Sequence, residues 1–285
     1  MAERYFLRYA LVLLPFNPET ERSDRVAIFV MCGMKTIKNI SKKILSPFLR
    51  RAKGVSHGYR IIENPDRDAL RERYNAVWQD ISIPQKQLEI TEKQLPGFHN
   101  TGPMKAAVDL LRKTGLAHPG ILEIGCSTGY YYDVFKKAGL DVAYEGCDYS
   151  EEFIKVARQK HPGVQFKVSN ALALDYRDSQ FDIAISGCCI LHIIDYPKAI
   201  AETARVAKTW TVFHRTPVVH MRQTTYAKKI GYDIEMLEIL FNEEELFGLF
   251  AKNGLAVHSV NTHGQFFVPG IAEPVFMKSY LCKKI

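Results

Sequence analysis

From about His118 the chain alternates short apolar runs with stretches in which apolar residues recur every three or four positions. Ile121–Ile124, Val142–Cys147, Val164–Val168, Phe181–Ser186 and Thr211–Phe213 are near-continuous apolar runs of strand length. Between them, Tyr131–Ala138, Glu151–Lys160 and Pro197–Ala207 carry the helical period. Parallel strands need a crossover, and the crossover helix shields the sheet. This alternation therefore predicts a doubly wound, mostly parallel sheet covered on both faces. A helix over Glu243–Asn253 precedes two last strands, Ala256–Thr262 and Met277–Lys283. Only Gly264 to Pro274 separates that pair, too short for a helical crossover, so the closing strand is predicted to be antiparallel.

Upstream, helices are predicted over Asp66–Asp80, Gln85–Leu95 and Met104–Thr114, punctuated by Pro84, Pro96-Gly97 and Gly102-Pro103. The expected organisation is a basic arm over residues 1–60, a helical cap or lid over 61–117, and an α/β body over 118–285.

Composition adds limits. The 285 residues are 47% hydrophobic and 24% charged, which excludes a disordered, collagenous or coiled-coil chain. Tyr9–Phe16 and Val26–Met34 fall well short of the roughly 18 apolar residues a spanning helix needs. Ala2 to Phe16 has the look of a leader but no small-residue cleavage site follows, so none is expected. The net charge of +7 is unevenly placed: residues 1–60 hold 12 Lys/Arg against 4 Asp/Glu, and the remainder is nearly neutral. A neutral body disfavours nucleic acid as partner.

Lys35 to Lys53 contains seven basic residues and no acidic one, with Ile37, Ile40, Ile44 and Phe48 on one helical face. One reading is a helix on an anionic membrane surface through residues 35–53, peripheral at the inner face. The other is a solvated arm docked on the body, which the interruption at Pro47 favours. Six scattered cysteines, with no C-x-x-C and no Cys/His spacing of metal-ligand type, predict a reduced, cytoplasmic protein with no metal.

The chemistry gathers at the strand ends. The first strand runs into Glu123-Ile124-Gly125-Cys126-Ser127-Thr128-Gly129 and then a helix. Glycines there let a ligand approach the backbone, and the helix start faces it with free N–H groups. Asp148 ends the second strand 23 residues after Gly125, the place for a carboxylate that accepts the hydroxyls of a ribose. The turn lacks the Gly-x-Gly-x-x-Gly of a nicotinamide site.

These residues resemble the class I S-adenosylmethionine-dependent methyltransferases, in their small-molecule, methyltransferase type 11-like branch. The resemblance spans roughly residues 118–260 and implies a seven-stranded Rossmann-like sheet with S-adenosyl-L-methionine as cofactor. Glu123, Gly125 and Gly129 match the first motif, with Cys126 and Ser127 inside it. Asp148 matches the ribose-binding acid, and Tyr149 the side chain that packs on adenine. Asn170-Ala171 stands where the family usually has an acid before a small residue, and Ser186 ends the fourth strand. His192, in the loop after that strand, is the expected general base, with His214 or His220 as substitutes. Arg215 and His220 open an insert reaching Leu240, at the end of the sheet where ligands bind, and are expected substrate contacts. Tyr74 and Trp78, four apart on one helical face, read either as packing residues or as lid residues over the substrate.

The expected reaction is in-line methyl transfer to a small polar acceptor, with a sugar or lipid-linked glycan hydroxyl as candidate. The alternatives are an RNA or protein methyltransferase gripping through the basic arm, and a catalytically silent partner subunit. Cys188 and Cys189 read as small buried hydrophobes.

Overall fold

The five apolar runs form five parallel strands. In a computed structural model describing residues 58–285 they are β2 (Gly120–Ile124), β3 (Ala143–Asp148), β4 (Gln165–Val168), β5 (Phe181–Gly187) and β6 (Ala207–Val219). The order is β4-β3-β2-β5-β6. β10 (Val275–Lys284) runs antiparallel along β6, and β9 (Leu255–Phe266) antiparallel along β10, which completes the expected seven strands. The charged stripe over residues 35–53 lies outside the described residues.

The helices are α1 (Arg67–Tyr74), α2 (Ile83–Gln94), α3 (Gly102–Lys113), α4 (Tyr130–Lys137), α5 (Glu151–Lys160), α6 (Tyr196–Val206) and α7 (Glu243–Lys252). Asp66 starts α1 by accepting the N–H groups of Asp68 and Ala69, and Asn242 caps α7 through the N–H of Glu245. Among the described residues no helix is long and apolar enough to cross a membrane.

Alternate residues of each strand feed opposite layers, as a two-residue period requires. Leu122, Ala184 and Phe213 pack on one face with Phe250 of α7, while Ile121, Ile183 and Val212 pack on the other with Leu110 of α3 and Phe135 of α4. α3 buries Met104, Ala107, Val108, Leu110 and Leu111, so it is a core helix of the sheet.

Two features depart from the sequence reading. The insert, for which the sequence predicts no element, holds two strands: β7 (Thr225–Gly231) and β8 (Ile234–Asn242) form a hairpin, with two-residue β1 (Arg60–Ile61) on its outer edge. Its end joins the main sheet where Val218 and Val219 of β6 pair with Phe241 and Asn242, giving ten strands among the described residues. β6 itself runs 13 residues rather than stopping at Phe213. Pairing with β5 ends at His214 and pairing with β8 begins at Val218, so Pro217, which has no N–H to donate, falls in the gap between neighbours.

Candidate active site

The chain leaves β2 toward β3 and β4 on one side, then returns to place β5 and β6 on the other. Loops diverge at such a switch point and leave a crevice at the carboxyl ends of the strands. A cavity of about 1290 Å³ opens there. That exceeds the roughly 300–1,000 Å³ of a single-ligand site and leaves room for two ligands.

Its floor is the turn after β2. Gly125 has φ +75°, Ser127 +54° and Gly129 +78°. A Cβ on Gly125 would lie 2.8 Å from Cys189 Cβ, so only glycine lets the turn pass under the loop after β5. A Cβ on Gly129 would strike His161 and Phe166, both at 2.8 Å. Gly129 is outside the cavity lining, and its role is close packing beneath the turn. Ser127 Oγ contacts Gln87 Oε1, which ties α2 to the turn.

Glu123 is buried and accepts the Tyr144 hydroxyl proton. Burial lifts its carboxyl to about 8, and its Oε1 lies where a Cβ on Gly187 would come within 2.6 Å. The next strand supplies Asp148, 8% exposed at the cavity wall. Its two oxygens accept the N–H groups of Ser127 and Ser150, each at 3.1 Å. A carboxylate offers about four lone-pair positions, so roughly two remain for a pair of ligand hydroxyls. Burial raises this carboxyl to about 6, against the pull of those N–H groups.

Tyr149 donates its hydroxyl to Asn75 O at 2.9 Å and receives Trp78 N–H at 3.2 Å, which pins the short helix Val77–Gln79 over the cavity. Asn170 and Ala171 line the wall, with Asn170 Oδ1 also holding Leu172 N–H at 2.9 Å.

The loop after β5 delivers His192. Its Nδ1 lies 2.7 Å from Leu237 O, and a carbonyl only accepts, so the proton sits on Nδ1. Nε2 therefore carries a bare lone pair, and burial lowers the ring to about 4. Trp78 covers the imidazole with ring centroids 4.7 Å apart. Tyr74 lines the cavity too, donating to Glu235 Oε1 at 2.8 Å and so joining α1 to the hairpin.

His214 is not at a strand exit, because β6 continues past it. It is 2% exposed and off the cavity, with Nε2 2.5 Å from the Tyr131 hydroxyl and Nδ1 2.8 Å from Ser279 Oγ. His263 Nε2 meets the same Ser279 oxygen at 2.9 Å. In the β6–β10 register Phe213 faces Tyr280 and Thr216 faces Lys278, so His214 and Arg215 together oppose Ser279. This is a β-bulge, with Arg215 at φ +55°. That conformation costs a non-glycine residue about 1–2 kcal/mol.

Two further expectations are corrected. His220 lies outside the cavity, its Nε2 2.9 Å from Glu243 Oε2, because the strand carries it past the crevice. Ser186 is 1% exposed and does not line the cavity; its neighbour Gly187 does. Sequence reasoning missed Tyr130 and Tyr131 at the start of α4, and Tyr59 and Lys229, which converge on buried Glu238. Only the hairpin brings the latter three together, so no local signal marks them. Among the described residues no group of three or more His, Cys, Asp or Glu is placed to hold a metal ion.

Residues 122–212 match the family model described as a methyltransferase domain. A demethylmenaquinone methyltransferase from Renibacterium salmoninarum is 32% identical over 94 residues, 32% of this chain and 39% of the relative. This chain thus matches well under two-thirds of that curated relative's length. The 1,6-didemethyltoxoflavin-N1-methyltransferase of Burkholderia thailandensis, solved with bound 1,6-didemethyltoxoflavin and S-adenosylhomocysteine, superposes with a TM-score of 0.52 at 15% identity, covering 79% of this chain and 94% of that one. An S-adenosylmethionine-dependent methyltransferase from Clostridium acetobutylicum gives 0.51 at 14% identity, covering 70% and 98%. With the glycine turn, the acid after β3 and the strand order in place, residues 122–212 carry a methyltransferase domain on a class I, Rossmann-like fold.

Proposed function

We propose that the protein transfers a methyl group from S-adenosylmethionine to a small, planar acceptor. The observation that supports this most is the pairing of the Gly125 turn with Asp148 across a cavity large enough for two ligands. The donor set fits: the turn gives backbone access, Asp148 has lone pairs to spare for ribose hydroxyls, and Tyr149 and Ala171 line the adenine side. The bound cofactor supplies a methyl already activated on a sulfonium. The chain's own task is then orientation, which can contribute about 7–11 kcal/mol. Tyr59, Tyr74, Trp78, Tyr130, Tyr131 and Tyr232 line the cavity, and flat aromatic walls suit a flat acceptor. Demethylmenaquinone and 1,6-didemethyltoxoflavin, named in the relatives, are of that kind.

Asp148→Ala is expected to weaken S-adenosylhomocysteine binding by about 1.5–3 kcal/mol, the range for hydrogen bonds to a charged group. Calorimetry tests it, and unchanged affinity in a folded variant would remove Asp148 from the site. Cofactor affinity should also fall as pH drops through about 6, and Asp148→Asn should abolish that step. The stability effect has the opposite sign. A carboxyl raised by burial favours the folded state at acid pH, and that contribution is lost as pH rises from the ordinary carboxylate value through about 6.

His192 is neutral above about pH 4, and a bare Nε2 on a cavity-lining imidazole supports its reading as the base that takes the acceptor's proton. A methyl-transfer screen with labelled S-adenosylmethionine over quinols, phenolic acids and sugars identifies the acceptor. With that acceptor, His192→Phe should slow turnover roughly 100- to 10,000-fold at unchanged S-adenosylhomocysteine affinity. Parent-like turnover would exclude His192 as the base.

A further inference from the structure

Three full cations line the cavity among the described residues. Lys86 pairs with Asp233 and Lys229 with Glu238. Arg215 has neither a carboxylate partner nor a side-chain hydrogen bond among the described residues, and it is solvent-exposed on the cavity side while the residues before and after it on the strand are buried. A cation left without a counter-ion in a concave site is open to an anion, while an arginine in the left-handed region is unfavourable.

The bulge maintains both conditions at once. His214 turns into the buried side of the strand, and Ser279 Oγ takes the Arg215 N–H at 3.2 Å, holding the backbone that sends Arg215 into the cavity. Bulges beside a site commonly re-aim one side chain in this way. Arg215 also lies two strands from β2 and its glycine turn, on the side of the cavity walled by Tyr232 and Lys229 of the hairpin.

Resting on the methyl-transfer reading, we propose that Arg215 is the receptor for an anionic group of the acceptor, a carboxylate or phosphate held by its guanidinium fork. Arginine suits this because its planar donors match both anions in pairs. The anion could also belong to the amino-acid end of the cofactor, and the experiment separates the two sources.

The test is modification of Arg215 by phenylglyoxal, read by peptide mass spectrometry on the full chain saturated with S-adenosylhomocysteine. Benzoate and inorganic phosphate serve as anionic probes and benzamide as the neutral control. At least one anion should protect Arg215 and benzamide should not; equal modification throughout overturns the proposal. Protection by S-adenosylhomocysteine alone, absent with 5′-methylthioadenosine, would assign Arg215 to the cofactor carboxylate and also overturn it. Arg215→Gly suits φ +55°, so the variant should melt at or above the parent temperature. It should keep its S-adenosylhomocysteine affinity and lose anion affinity roughly tenfold or more. A fall in S-adenosylhomocysteine affinity of that size would count against the acceptor assignment. Should S-adenosylhomocysteine fail to bind the parent, the methyl-transfer reading fails, while anion protection of Arg215 is still readable in the unloaded protein.

Discussion

Gly125→Val is expected to abolish measurable S-adenosylhomocysteine binding, a loss of about 100-fold or more, or roughly 2.7 kcal/mol. Gly125 combines φ +75° with contact distances of 2.8 and 2.9 Å between an added Cβ and the Cβ and Sγ of Cys189. A β-branched residue is the worst fit to the left-handed region. Cys189 cannot swing clear, because the nearest atom is its Cβ and its carbonyl accepts His192 N–H at 3.0 Å. The loop carrying His192 would have to move as a whole. The turn is also fixed from behind, since Gly125 and Cys126 both donate to Cys147 O, at 2.8 and 3.0 Å. Calorimetry beside circular dichroism separates lost binding from lost fold. Parent-like affinity in a folded variant would show that the turn does not form the cofactor floor.

Phe213→Ala should lower stability by about 3–5 kcal/mol, the range for emptying a fully buried aromatic site. Phe213 is 0% exposed on a strand flanked by both β5 and β10. It stacks on Phe250 of α7 with centroids 4.5 Å apart, and Phe250 in turn meets Tyr280 of β10 at 5.8 Å. Rigid strands on both sides cannot close the gap, so the cavity term adds to the transfer term. Against a typical folding free energy of about 5–15 kcal/mol the loss is large. Urea denaturation measures it; a change below about 1 kcal/mol would mean the helix is held elsewhere.

The parallel strands were legible because they are covered on both faces and so read as unbroken apolar runs. Glu123, Gly125 and Asp148 were legible because strand ends and turn glycines are local features. The hairpin was not. Its turn places Tyr232 and Asp233 at φ +54° and +66°, a backbone that usually announces itself as Asn-Gly. The apolar run ends at Phe213, so His214 read as a strand exit, whereas β6 continues through Pro217 in a stretch with no neighbour on one side. The Arg215 bulge depends on register against Ser279, 64 residues away, and no local pattern encodes that.

The buried chain from Tyr131 through His214 and Ser279 to His263 has a polarity. Burial keeps both imidazoles neutral, so each has one N–H and one bare nitrogen. Ser279 already accepts the Arg215 N–H, which leaves its hydroxyl one proton and one lone pair for two rings. Two hydrogen arrangements satisfy these conditions. In one, Ser279 donates to His263, His214 donates to Ser279, and Tyr131 spends its proton on His214. In the other every bond is reversed, and Tyr131 accepts a hydrogen bond from His214 Nε2–H while its own hydroxyl hydrogen turns away from the ring. The four groups must reverse together, since any single reversal sets two donors or two bare acceptors face to face. Tyr131, one of the residues lining the cavity, is thus a hydrogen-bond donor to His214 in one arrangement and an acceptor from it in the other. The tautomer of His263, on the far side of the sheet's last pairing, decides which.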